Sequence, residues 1–180
     1  MSRFSERIHH WHLQDMHWAV PGSHISARAV LWAGLASGFV FLALMGIMMP
    51  LFLGTSPWAA PRMIAAITQG SGALSPIDAF DLGAVLASLV VHFTLSMVYA
   101  LVFAFIGKGH SMAADALAGV AFGLAVYVVN FYLFTALFPW FAQMRNWVAV
   151  VSHVAYGGVL GVTYAAYASG RLGHHPAMQD

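Results

Sequence analysis

Two histidines, His92 and His153, stand inside long apolar runs, LVVHFTLSMVYA and VVSHVAYGGVLG. An ionisable side chain is costly within a bilayer, so one retained there is a site by default. Each is followed at four and eight positions by small residues: Ser96 and Ala100 after one, Gly157 and Gly161 after the other. Two imidazoles on different helices at similar depth are what axial ligation of a b-type haem needs, and glycines leave room for the macrocycle. In that reading Arg62 and Arg145 pair with the propionates. Beside Trp58 and Trp140 they read equally as interfacial anchors. A third chemistry is transport: Met45, Met48, Met49 and Met97 add thioethers that suit Cu(I), and a histidine can titrate along a proton path. The plainest chemistry is hydrogen bonding. Neutral imidazoles satisfied by Asn130, Ser96, Tyr99 or Ser152 fix helix register, each bond contributing about 0.6 to 2 kcal/mol. Tyr156, one turn beyond His153, extends the same polar layer.

The elements that must position these groups follow from composition. Of 180 residues, 61% are hydrophobic and only 7% charged, against roughly 25% charged in a soluble domain. Crossing a hydrocarbon core takes about 20 residues, and four stretches are long enough: 29–51, 82–106, 114–138 and 147–169. The expected fold is therefore an all-α, integral membrane four-helix bundle over residues 28–170. Residues 1–27 precede it as a cytoplasmic amphipathic segment, and 171–180 follow as a short cytoplasmic tail. Within the first segment, RFSERIHHWHLQDMHW reads as a helix lying on the membrane surface. Its histidines, His9, His10, His12 and His17, also offer a divalent-metal tract. The polar start and the long first apolar run do not read as a cleavable signal peptide.

The four spans carry a repeat. Gly34 and Gly38 in span one match Gly119 and Gly123 in span three, and eleven residues past the first glycine stand Met45 and Asn130. Outer loops PWAAPR and PWFAQMR follow, and then each half has its histidine span. The bundle thus reads as two parallel two-helix repeats related by an axis along the membrane normal. WAAPRMIAAITQ, in the longer first loop, is expected to form a short interfacial helix. The glycines let helices approach closely, which is how membrane bundles pack.

Lysine and arginine set the orientation. Arg3, Arg7, Arg28, Lys108 and Arg171 fall on one side, with only Arg62 and Arg145 on the other. Cytoplasmic segments hold the excess, so both termini are expected in the cytoplasm. In that orientation His92, Asn130 and His153 occupy one layer, about 3 to 7 Å outward of the span midpoints at 1.5 Å per residue.

The motif HFxxSxxYA at His92 and HxxYGxxLGxxY at His153 resembles small, uncharacterised four-span bacterial inner-membrane proteins, some with transporter-like names. The resemblance runs from Arg28 to Gly170. It implies a fold and an inner-membrane location, and carries no catalytic or binding residue to transfer. Nucleophile elbows, phosphate-cradling loops and HExxH are missing, and Cys is absent. The sequence reading is a small non-enzymatic structural or accessory component of a membrane assembly, or a homo-oligomer. Its partners are the lipid bilayer and other membrane subunits, and a net charge of +1 gives no cause to expect nucleic acid. No cofactor is the first expectation. The alternatives are a haem-b electron-transfer subunit using His92 and His153, and a small-solute, ion or copper transporter.

Overall fold

Serine, aspartate and asparagine side chains start the long helices, as their short oxygens suit the free N–H groups of a first turn. A computed structural model describes residues 17–20, 23–107 and 111–169. Helix α1 spans Ala27–Leu53, with Ser26 accepting from the Ala29 amide at 3.2 Å. Helix α2 spans Ala59–Gln69, and α3 spans Leu82–Ala104, capped by Asp81 on the Ala84 amide at 2.9 Å. Helix α4, Met112–Val128, is capped by Ser111, and α5, Trp147–Ala168, by Asn146. Four helical segments are long and apolar enough to cross a membrane: α1, α3, the segment 112–136 and α5. The protein is an all-α membrane-type bundle, with boundaries within about two residues of those expected from composition.

Three local departures have physical reasons. Span one is expected over 29–51, with Pro50 in its last turn, yet α1 continues to Leu53. Pro50 loses its own N–H donor but its carbonyl still accepts the Gly54 amide at 3.1 Å, and Gly54 closes the helix at φ 65°, where glycine is favoured. Span three was expected as one helix to 138. Its α-helical pattern instead stops at Val128, widens into a π turn over Val129–Leu133 and tightens into a 3-10 turn over Phe134–Ala136. Third, residues 17–20 do not close a surface helix. Strand β1, His17–Val20, pairs antiparallel with β2, Ser23–Ser26. Pro21-Gly22, a turn-forming dipeptide, lies between them. The rest of the expected surface helix, the tail and Lys108 lie outside the described residues.

Helix α1 packs on both α3 and α5, α4 packs on α5, and α2 covers α3. Helix α5 is the most enclosed of the four long segments. The glycines do what their spacing implies. A methyl group on Gly119 would overlap the Gly157 carbonyl oxygen, and one on Gly123 would overlap that of His153. In the other half Gly34 stands against Met97 and Ala100, and Gly38 against Phe93 and the Ser96 hydroxyl. So in each half the GxxxG pair of the first helix meets the histidine helix around the small residues that follow the histidine. The repeat seen in the sequence is thus also a repeat of contacts.

Its symmetry is incomplete. The repeat relates the α1/α5 interface to the α4/α3 interface, yet α1 and α5 pack closely while α3 and α4 hardly approach backbone to backbone. Across that gap only long side chains meet, including Phe103 and Phe122, with ring centres 5.5 Å apart.

Candidate functional site

The polar residues expected to share a layer do share one, at the level where α4 widens. His153 Nδ1 lies 2.7 Å from the Ala149 carbonyl oxygen. A carbonyl only accepts, so Nδ1 carries the proton and Nε2 presents a lone pair. The Asn130 amide donates to that Nε2 at 3.4 Å, and its oxygen accepts from the Tyr99 hydroxyl at 2.6 Å. The chain of bonds Tyr99–Asn130–His153–Ala149 therefore links α3, the π turn after α4 and α5 with every donor direction set. Asn130 falls within the π turn, which gives the widened segment a side chain with a defined task; such turns are often found at functional positions.

His92 is held in the other tautomer. Its Nε2 lies 3.0 Å from the Gly38 carbonyl oxygen, so Nε2 is protonated and Nδ1 is the acceptor. Asn130, Ser96, Tyr99 and Ser152 do not bond His92, whereas a backbone carbonyl across the α1/α3 contact does. The signal was present in the glycine pair, because only a close helix crossing brings Gly38 within reach. Ser96 reinforces the same contact by donating to the Gly34 carbonyl at 2.7 Å. Tyr156 reaches Ser96 from α5 at 3.3 Å. Ser152 is buried without a partner and plays no part in satisfying either imidazole.

The two histidines do not face each other. Phe41 of α1 stands between them, stacked on His92 at 5.5 Å and edge-on to His153 at 4.8 Å between ring centres. Tyr127 and Phe131 complete an aromatic surround for His153 at 5.5 and 5.3 Å. These residues do not fit a haem. A bis-histidine iron needs one free ring nitrogen from each imidazole aimed at a common point. Here both nitrogens of His153 are engaged, and a phenyl ring fills the space between the pair.

Nor do the arginines wait for propionates. Arg62 is buried, donating from Nε to the Ala79 carbonyl at 2.7 Å and from Nη1 to that of Ala73 at 2.9 Å. Asp81 lies 3.7 Å from its Nη2. It ties the long loop after α2 to the start of α3. Arg145 donates from Nε to the Phe131 carbonyl at 2.7 Å and from Nη2 to Thr135 at 3.0 Å, with its guanidinium 4.5 Å from the Tyr132 ring centre. It thereby holds the carbonyl-rich end of the π turn. The methionines are likewise divided. Met45 and Met49 pack in a cluster with Met63 and Met144, while Met97 turns to Gly34.

Beside the polar layer lies a cavity of about 180 Å³. Both histidines, Asn130, Ser96, Tyr99 and Tyr156 line it, with Ser88, Thr55 and Ser56, and apolar residues, most of them from α1, α2 and the segment 126–144, form the remainder. The fold and this layer together define a multi-pass helical membrane protein with a neutral, internally bonded polar centre. Comparison with family models, with curated proteins and with solved structures gives no match.

Proposed function

We propose that this chain is a non-enzymatic, multi-pass component of the bacterial inner membrane. It has both termini in the cytoplasm and works as a structural or accessory subunit of a membrane assembly, or as a homo-oligomer. One observation carries the reading: both histidines, Asn130, Tyr99 and Ser96 each bond one another or a backbone carbonyl. Tyr99, Asn130 and His153 form one bonded chain, and His92 and Ser96 clamp the α1/α3 contact. A catalytic or redox centre needs groups left free for a reacting partner, and both imidazoles, the Asn130 amide and the Tyr99 hydroxyl each already hold a partner within the protein. The inner-membrane location and the orientation rest on the sequence resemblance and on the five-to-two distribution of Lys and Arg.

The test is the mass and colour of the protein carried from its native membrane into nanodiscs without a detergent step. A stoichiometric oligomer or complex, colourless when oxidised and reduced, is expected. A lone monomer overturns the assembly role. Soret and α bands lost in both His92→Ala and His153→Ala would establish the electron-transfer alternative instead.

A further inference from the structure

We propose that the cavity enclosed by α1, α2, α3, α5 and the chain that follows α4 is a binding site for a neutral, lipid-soluble ring compound bearing a hydroxyl or carbonyl group. Its position is the first argument. The repeat relates α1/α5 to α4/α3, and the second contact is the one held open. Ser88 to Tyr99 of α3 and Val126 to Phe134 line the cavity from the two sides of that gap, and α1, α2 and α5 complete its wall. It is therefore more than a chance packing fault, since the partner interface shows how tightly the same contact can close.

The lining chooses the ligand. Phe41, Phe131, Phe138 and Phe141 contribute aromatic faces and edges, which suit a flat ring. Among the described residues no Asp, Glu, Lys or Arg lines the space, so an ionised group would enter without compensation at a cost of several kcal/mol or more. That argues against phospholipid headgroups and fatty-acid anions. Yet the wall is not purely apolar. His92 Nδ1 is an acceptor with no partner among the described residues, because its only bond is made through Nε2. Asn130 uses one amide hydrogen on His153 and keeps a second. The Thr55 hydroxyl, which also lines the cavity, is buried and unpartnered. Donors and acceptors of this kind around a small apolar cavity are the pattern of an orienting ligand site. A plain hydrocarbon would leave all three unpaired, whereas a hydroxyl or carbonyl answers them. The bilayer is the source of such a compound.

The test uses 1-naphthol as probe and the full chain in liposomes, with binding read by fluorescence against protein-free liposomes. Saturable binding of one equivalent is expected. Naphthalene, lacking the hydroxyl, should bind about tenfold more weakly, the value of one good hydrogen bond, and dodecanoate should not compete. Gly46→Trp fills the cavity from α1, where an added Cβ meets nothing within 4 Å, and should abolish binding. Thr55→Val removes an unpartnered hydroxyl and should weaken binding several-fold while leaving the thermal transition unchanged. If 1-naphthol partitions into wild-type and empty liposomes alike, or binds no better than naphthalene, the proposal fails. It also fails if folded Gly46→Trp binds as wild type does; should that variant not fold, Thr55→Val and naphthalene decide. None of these outcomes depends on the oligomeric state, so the accessory role stands or falls separately.

Discussion

Tyr99 of α3 donates to Asn130, in the π turn that follows α4, at 2.6 Å, across a pair of long segments whose backbones stay apart. The bond substitutes for close packing where the bundle keeps a cavity. Tyr99→Phe leaves the Asn130 oxygen unpaired in an apolar setting, at a cost of about 1 to 3 kcal/mol. Tyr156→Phe removes longer contacts to Ser96, at 3.3 and 3.4 Å, and should cost less. Thermal unfolding of the two variants in matched nanodiscs checks the order; equal losses, or the reverse order, would contradict it.

Gly157 and Gly158 are neighbours in α5 with opposite surroundings. A methyl on Gly157 would overlap the Gly119 carbonyl oxygen, while one on Gly158 would sit 3.5 Å from a Val120 methyl. Gly157→Ala should therefore force α4 and α5 apart and cost about 3 kcal/mol, at the upper end of overpacking penalties. Gly158→Ala should change stability by less than about 0.5 kcal/mol. Denaturant unfolding of the purified variants distinguishes the two.

Arg62 fastens the loop after α2 through the Ala73 and Ala79 carbonyls. Arg62→Met keeps much of the apolar stem and removes both charged hydrogen bonds, each contributing about 1.5 to 3 kcal/mol. The expected result is selective loosening: faster protease cleavage within residues 70–81, with the α4/α5 pair still protected. Uniform cleavage along the chain would mean that Arg62 supports the whole bundle instead.

The absence of cysteine makes topology directly measurable. Ser71→Cys, in the loop after α2, should react with a membrane-impermeant maleimide added outside spheroplasts. Ser111→Cys, ahead of α4, should react only after lysis. The opposite pattern would reverse the orientation inferred from Lys and Arg.

Much of this was legible in the sequence because a bilayer leaves few choices. Unbroken apolar runs of helix-spanning length locate α1, α3 and α5 almost to the residue, and the GxxxG spacing anticipates the α4/α5 contact at Gly119 and Gly157. Asn130 and His153 were placed in one layer by counting helical rise, and they bond. What escaped the sequence depends on distances between helices. The Gly38 carbonyl as partner of His92 is invisible to side-chain patterns, since any residue carries a carbonyl. Phe41 reads as one more apolar residue, yet it stands where a haem would have to lie. The π turn at Val129–Leu133 has no composition signature, and the hairpin at His17–Ser26 competes with a helical pattern of similar hydrophobic content.

The central claim is that the histidine layer serves helix register. The most direct measurement is a double-mutant cycle joining Asn130→Ala and His153→Ala, read as unfolding free energy in nanodiscs. A coupling of about 0.6 to 1.7 kcal/mol, the range of interhelical hydrogen bonds in membranes, is expected, with both single variants less stable than wild type. Additive effects, with single variants as stable as wild type, would contradict the account and return His153 to the role of a group kept for a ligand or a reaction.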